Sequence, residues 1–176
     1  KWIEMLEANH SLSQKEEWQV NEMKALLLNE RGNQEKFLSI WYKLLKQYRD
    51  ADKPEDIGKC LLTIAKHFVM LEDYDNALPL YEEAYQLAVE HELVDLQKSS
   101  GIMLIKYLCV IGYYSESLDY YNKIKNNQEI ISNSSMQNEV VKSYMELNKP
   151  DSARIYLAAR LLSERGDKIV LNCMMA

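Results

Sequence analysis

The chain has 176 residues, of which 47% are apolar and 27% are charged, and it contains five Gly, three Pro and three Cys. This composition is typical of a globular protein and excludes collagen-like, low-complexity and disulfide-framework classes. The net charge of −6 and the pI of about 5.2 provide no global positive field, so we expect this segment to bind neither nucleic acid nor a membrane surface.

Cysteine usage and hydropathy bear on the compartment. Cys60, Cys109 and Cys173 are far apart and form no Cys-x-x-Cys pair, which favours a reducing interior over a secreted disulfide framework. The longest apolar run, residues 101–114, contains Lys106 and is too short to span a bilayer. We therefore expect a cytoplasmic location. The chain lacks an initiator Met and a signal-peptide pattern, so we expect a piece of a longer protein, and the periplasm stays open if that parent is exported or membrane-anchored.

Helical periodicity runs through nearly the whole chain, because Ala, Leu, Glu, Lys and Met recur at helical spacing and alternating β-branched runs are nearly absent. Ser13 and Glu16 form a predicted capping box for a helix that runs to about Arg31, where Gly32 and Asn33 break it. Later breaks are predicted at Asp52 with Pro54, at Asp73 to Asp75, at Gly112 and at Lys149 to Asp151. The short connections force neighbouring helices into antiparallel pairs.

The same helix pair occurs four times. Residues at equivalent positions begin the matching segments of the first helices: Asn21, Leu61, Gly101 and Gln137. The second helices are anchored at Phe37, Ala77, Ser117 and Ala153, which lie 40, 40 and 36 residues apart. A period of this length indicates an array of supersecondary units. We predict a single domain over residues 1–176, with repeats at about 18–51, 55–92, 96–127 and 134–165 and with 1–12 and 167–176 as flanking helices of partial units or caps.

The array resembles the tetratricopeptide repeat (TPR) family, and in particular bacterial signalling and regulatory proteins that contain such repeats. The second copy matches the family at nearly every defining position, namely Leu61, Ile64, Ala65, Phe68, Tyr74, Ala77, Tyr81 and Ala84. The first and fourth copies depart from it, with Lys24 in place of the usual Leu and with Phe37 and Arg160 in place of small residues. The resemblance implies an all-α fold, a right-handed α-solenoid of antiparallel helix pairs that bury their apolar sides by stacking.

No catalytic or metal-binding motif is evident. His10, His67 and His91 are far apart and lack the spacing of metal ligands on one helical face. The glycines are isolated, so no phosphate-binding loop is predicted, and Cys109 has the apolar neighbours of a buried side chain rather than of a nucleophile. We therefore predict a protein that is not an enzyme and has no cofactor and no metal site.

The resemblance implies a ligand groove on the concave surface, where the family uses exposed positions of each first helix. Carried over to this chain, these positions are Lys59, Leu62, Lys66, Val69, Ile102, Lys106, Asn138, Lys142 and Met145. The same position of the first helix is Lys66 in the second copy, Lys106 in the third and Lys142 in the fourth. Such a ladder favours a protein or peptide ligand with acidic side chains or a free C-terminus. A solvated lysine-rich face is the alternative. Glu22 and Leu26 replace the Lys and Asn of the family's two-carboxylate clamp, which disfavours a chaperone-tail adaptor.

Two other functions stay open from the sequence. The chain could be a structural scaffold or self-association segment, including a homodimer, in which the apolar ends at 2–6 and 171–175 pair with neighbouring repeats or with a second copy. It could also be the sensor portion of a larger bacterial signal-transduction or transcription regulator, although only analogy supports that hypothesis.

Overall fold

The computed structural model describes residues 12–125 and 134–164, and within them every regular element is an α-helix. The helices are α1 (Gln14–Glu30), α2 (Gln34–Asp50), α3 (Pro54–Met70), α4 (Tyr74–Glu90), α5 (Val94–Val110), α6 (Tyr114–Ile124), α7 (Ser134–Glu146) and α8 (Pro150–Glu164). The predicted helical class is therefore confirmed for this part of the chain. The flanking helices predicted at 1–12 and 167–176 fall outside it, except for Leu12.

The spacing of the helices is regular. From α1 to α6 each helix begins 20 residues after the one before it, and α1 to α5 have 17 residues each. Each predicted copy thus corresponds to one helix pair: α1 with α2, α3 with α4, α5 with α6, and α7 with α8. No helix in the described ranges combines the length and apolar character needed to cross a membrane.

The three-residue connections between helices share one backbone conformation. Their middle residues all have positive φ: Gly32 (71°), Asp52 (50°), Glu72 (57°), Glu92 (55°), Gly112 (90°) and Asn148 (55°). The N–H of the next residue donates to the carbonyl five residues back, as from Asp73 to Phe68 at 2.9 Å. This is the Schellman arrangement, which satisfies carbonyl groups that the end of a helix leaves unpaired. The chain therefore leaves α1 to α5 and α7 in the same way.

The chain divides into two compact units, Lys1–Gln97 and Lys98–Ala176, with the boundary inside α5. In unit 1, α1 packs on α2, α2 on α3, and α3 on α4. Its core includes side chains with no exposed surface, among them Leu44, Leu61, Ile64 and Ala84. Sequential packing of this kind lets each helix bury one side against its predecessor and another against its successor.

Two close contacts fix the positions of helices in unit 1. Gly58 of α3 lies against Leu96 at the start of α5, and a Cβ at residue 58 would come within 3.0 Å of the Leu96 Cγ and closer still to its methyl groups. Phe37 of α2 packs against His67 of α3, with ring centroids 4.7 Å apart. An exposed ion pair between Arg49 and Glu83 joins α2 to α4 at the surface.

Unit 2 has a polar seam inside its core. Ser117 of α6 donates from Oγ to the carbonyl of Ile105 at 2.9 Å, and Ser143 of α7 reaches the same hydroxyl at 3.5 Å. All these side chains are fully buried. Tyr121 and Tyr156 meet edge to face with centroids 5.5 Å apart, which connects α6 to α8. Small hydroxyl residues thus allow α5, α6 and α7 to approach closely without leaving buried donors unpaired.

Candidate functional site

The predicted groove residues of unit 1 share one face of α3. Lys59, Leu62, Lys66 and Val69 are spaced by three, four and three residues, which places them along one side of a helix. Both lysines are exposed, and Leu62 and Val69 are half-buried between and beside them. This face therefore offers two ammonium groups about 10 Å apart along the helix axis, with aliphatic surface next to each.

The two lysines of α3 differ in their partners. The Nζ of Lys59 lies 3.8 Å from Oδ1 of Asp56 on the same helix. An exposed pair of this kind contributes little stability, but it neutralises part of the lysine charge. Lys66 forms no ion pair with any residue in the described part of the chain. Lys66 is therefore the lysine of this face whose charge is available to a ligand.

The beginning of the same face is acidic. Tyr48 of α2 donates a hydrogen bond to Glu22 of α1 at 2.9 Å, and burial together with this carboxylate raises the pKa of Tyr48. Burial, then Glu22 and then Asp56 raise the pKa of the buried Cys60 thiol to about 12. Cys60 belongs to the same buried cluster as Trp18 and Ala25 of α1. Along this face of α3 the charge thus changes from acidic at Asp56 to basic at Lys66.

The sequence prediction missed a group of exposed apolar side chains on α1 of unit 1. Leu26 is 53% exposed and Leu27 is 41% exposed, and Met23, one turn before them, is also exposed. Leu26 stands at the position where the second copy has Lys66. The aligned spacing gave the position of Leu26, but its degree of exposure follows only from which helices pack against α1.

In unit 2 the predicted residues separate into exposed and buried sets. Asn138, Lys142 and Met145 are exposed along one face of α7. Ile102 is 9% exposed and belongs to the core, so it offers a ligand little surface. Lys106 is half-buried, with its Nζ 5.3 Å from the ring centroid of its neighbour Tyr107.

Two further contacts in unit 2 involve Lys142 and Cys109. The Nζ of Lys142 lies 6.0 Å from the ring centroid of Tyr114, at the outer limit of a cation–π contact. The Cys109 thiol donates to the carbonyl of Glu139 at 3.6 Å, which brings α5 and α7 into contact. Unit 2 holds Lys106 and Lys142, while Lys66 belongs to unit 1, so a ladder through all three stays a prediction.

The described residues contain no group of three His, Cys, Asp or Glu side chains that could hold a metal ion. Burial raises the pKa of the Cys109 thiol to about 11 and that of Cys60 to about 12, so neither is a ready nucleophile near neutral pH. What the exposed faces of α3 and α7 can supply is charge, hydrogen bonding and apolar contact.

Comparison with known proteins finds no relative, since no family model, no curated protein and no solved structure matches the chain.

Proposed function

We propose that this chain is a non-catalytic module of TPR-like helix pairs that binds a protein or peptide along the exposed faces of its first helices. The observation that carries the proposal is the face of α3, where the exposed, unpaired Lys66 lies between half-buried Leu62 and Val69. A right-handed solenoid is part of the proposal, and the constant helix spacing and the shared connection geometry support it.

The ligand that fits this face carries an acidic group next to apolar side chains. A carboxylate about 4 Å from Lys66 gains about 1 kcal/mol in water and more where the contact excludes solvent. The apolar neighbours supply the remaining affinity through buried area. Because the chain has a net charge of −6, such a ligand is attracted locally and repelled by the molecule as a whole. Binding should therefore depend on where the positive charge lies rather than on the total charge.

A charge-reversal experiment tests the site. Fluorescence anisotropy against a pool of acidic, apolar-rich peptides would identify a binder, and the Lys66→Glu variant should weaken its binding about tenfold or more. Lys43→Glu is the matched control, because Lys43 is exposed on α2, a second helix, and should change affinity less than twofold. Equal effects of the two changes would contradict the site, and a failure of every peptide to bind would contradict the function.

Self-association is a second candidate, favoured by the exposed apolar side chains of α1. Leu27 is exposed, whereas His67, the residue aligned with it in the second pair, is buried against α2. A second copy covering Met23, Leu26 and Leu27 would give Leu27 a comparable environment. Sedimentation equilibrium should then show a dimer that Leu27→Glu dissociates, and a monomer at the highest concentrations would rule this candidate out. Membership of a larger signalling protein stays a prediction, which the flanking gene sequence would test.

A further inference from the structure

His67 of α3 is a histidine placed in an apolar contact between helices. It is 3% exposed, and its ring lies against Phe37 of α2 with centroids 4.7 Å apart and planes inclined by 34°. Phe68 meets it edge to face at 6.4 Å. The His67 ring is thus part of the surface along which α2 and α3 pack.

Neither ring nitrogen of His67 has a hydrogen-bond partner among the described residues, and both nitrogens are buried. A neutral imidazole carries one N–H donor, whereas the protonated ring carries two donors and a full positive charge. Burial of an unpaired charge is far more costly than burial of a neutral ring. Uptake of a proton therefore makes this contact less favourable.

No charged neighbour compensates for that cost. The charged residues close to Phe37 and His67 in sequence are Glu35 and Lys36 on α2, Lys66 on α3 itself, Glu72 and Asp73 in the connection, and Asp75 in the first turn of α4. None of them forms an ion pair or hydrogen bond with the ring. Burial is the sole cause that lowers the pKa of His67 from its ordinary value of 6.5. The imidazolium would thus have no carboxylate to accept its protons.

We propose that His67 is an acid-sensitive contact between α2 and α3, which loosens unit 1 when its imidazole takes up a proton. Above pH 6.5 the ring is neutral in both the packed and the open states, so the contact contributes its full stability. Below that pH the open state binds a proton that the packed state resists, and each further pH unit favours opening by up to about tenfold until the packed ring titrates as well. The proposal is independent of any bound peptide.

The test compares unfolding at two pH values. Urea unfolding at pH 7.5 and 5.5 would be measured for the natural chain, for His67→Leu and His67→Tyr, and for His91→Gln, which removes an exposed histidine at the end of α4. Leu and Tyr occupy the aligned positions 27 and 107, so both side chains occur naturally at this place in a helix pair. Between pH 7.5 and pH 5.5 the equilibrium constant for unfolding should rise in all four proteins. The factor by which it rises should be up to about ten times larger for the natural chain and for His91→Gln than for the two His67 variants.

Equal acid sensitivity of the natural chain and both His67 variants would overturn the proposal. If neither variant folds, NMR titration of the natural chain decides: the C2 proton of His67 should titrate with a midpoint below 6.5, and a midpoint at or above 6.5 would refute the proposal. Hydrogen exchange locates the effect, because acid should increase opening of α2 and α3, after correction for intrinsic rates, more than opening of α7 and α8. Uniform opening of all four helices would contradict a local contact.

Discussion

The connection between α3 and α4 offers a direct test of how the helices are joined. Glu72 has a φ of 57° and an exposed side chain that forms no ion pair in the described structure. A residue with a Cβ pays about 1–2 kcal/mol for this left-handed conformation, whereas Gly adopts it freely and loses about 0.5–1 kcal/mol to the greater entropy of its unfolded chain. Glu72→Gly should therefore raise the free energy of unfolding by about 0.5–1 kcal/mol. In a chain of this length, that gain raises the melting temperature by about 1–3 °C.

Urea denaturation and thermal melting would measure this gain against three related variants. Glu72→Ala keeps the Cβ, and with it the cost of positive φ, and removes only the rest of the side chain. Its free energy of unfolding should therefore stay within about 0.5 kcal/mol of that of the natural chain. Glu92→Gly repeats the change at a φ of 55° and should stabilise by a similar amount. Gly112→Ala reverses it at a φ of 90°; since an added Cβ there would meet no atom within 4 Å, its expected loss of about 1 kcal/mol is conformational.

Lys43→Gly supplies the control for glycine itself. Lys43 is exposed in the interior of α2, where Gly should cost about 1 kcal/mol because the helix gains nothing from its freedom. The reasoning fails if Glu72→Gly destabilises the chain as Lys43→Gly does, or if Gly112→Ala has no effect. Either result would mean that positive φ at these connections is not what lets the chain reverse.

Three further predictions concern unit 1. Gly58→Ala should cost about 1–3 kcal/mol by overpacking against Leu96, although Ala is the better helix former; adding Leu96→Ala should cost much less than the sum of the single changes, and additive losses in urea denaturation would contradict the contact. Cys60 should react with iodoacetamide only as fast as the chain opens, since burial raises its pKa to about 12, and rapid labelling of the folded protein would refute this. Tyr48→Phe should cost about 1–2 kcal/mol through loss of the hydrogen bond to Glu22, and an unchanged urea midpoint would show that water replaces that bond.

Local sequence chemistry predicts some connections and misses others for a physical reason. Gly32, Pro54, Gly112 and Pro150 mark breaks because these residues restrict or permit backbone conformations on their own. The connection after α4 contains neither Gly nor Pro, and its middle residue, Glu92, adopts positive φ against its own preference. Only the 40-residue period places a break there. The free energy that holds Glu92 at positive φ must therefore come from interactions outside the three residues of the connection.

Some features of the candidate site can likewise be predicted from local sequence, whereas others depend on contacts between distant residues. The spacing of Lys59, Leu62, Lys66 and Val69 predicts one helical face, because helix geometry alone determines it. The hydrogen bond from Tyr48 to Glu22 joins residues 26 positions apart, and no local pattern indicates it. Burial of a residue on such a face also depends on which helix covers it. Sequence therefore identifies candidate faces, and packing decides which of their residues a ligand can reach.

The departure of the first copy from the repeat pattern at Phe37 is explained by a pair of residues rather than by a single position. Phe37, at a place where the other copies have small residues, packs against His67 at the matching place in the next first helix. In unit 2 the equivalent pair is Ser117 with Ser143, two small residues whose hydroxyls meet at 3.5 Å. Both members of the pair are large rings in unit 1 and both are small in unit 2, so each interface is packed by two residues that fit one another. Phe37 is thus accommodated because α3 presents a flat aromatic ring to it, and that accommodation is what puts a titratable ring into an apolar contact.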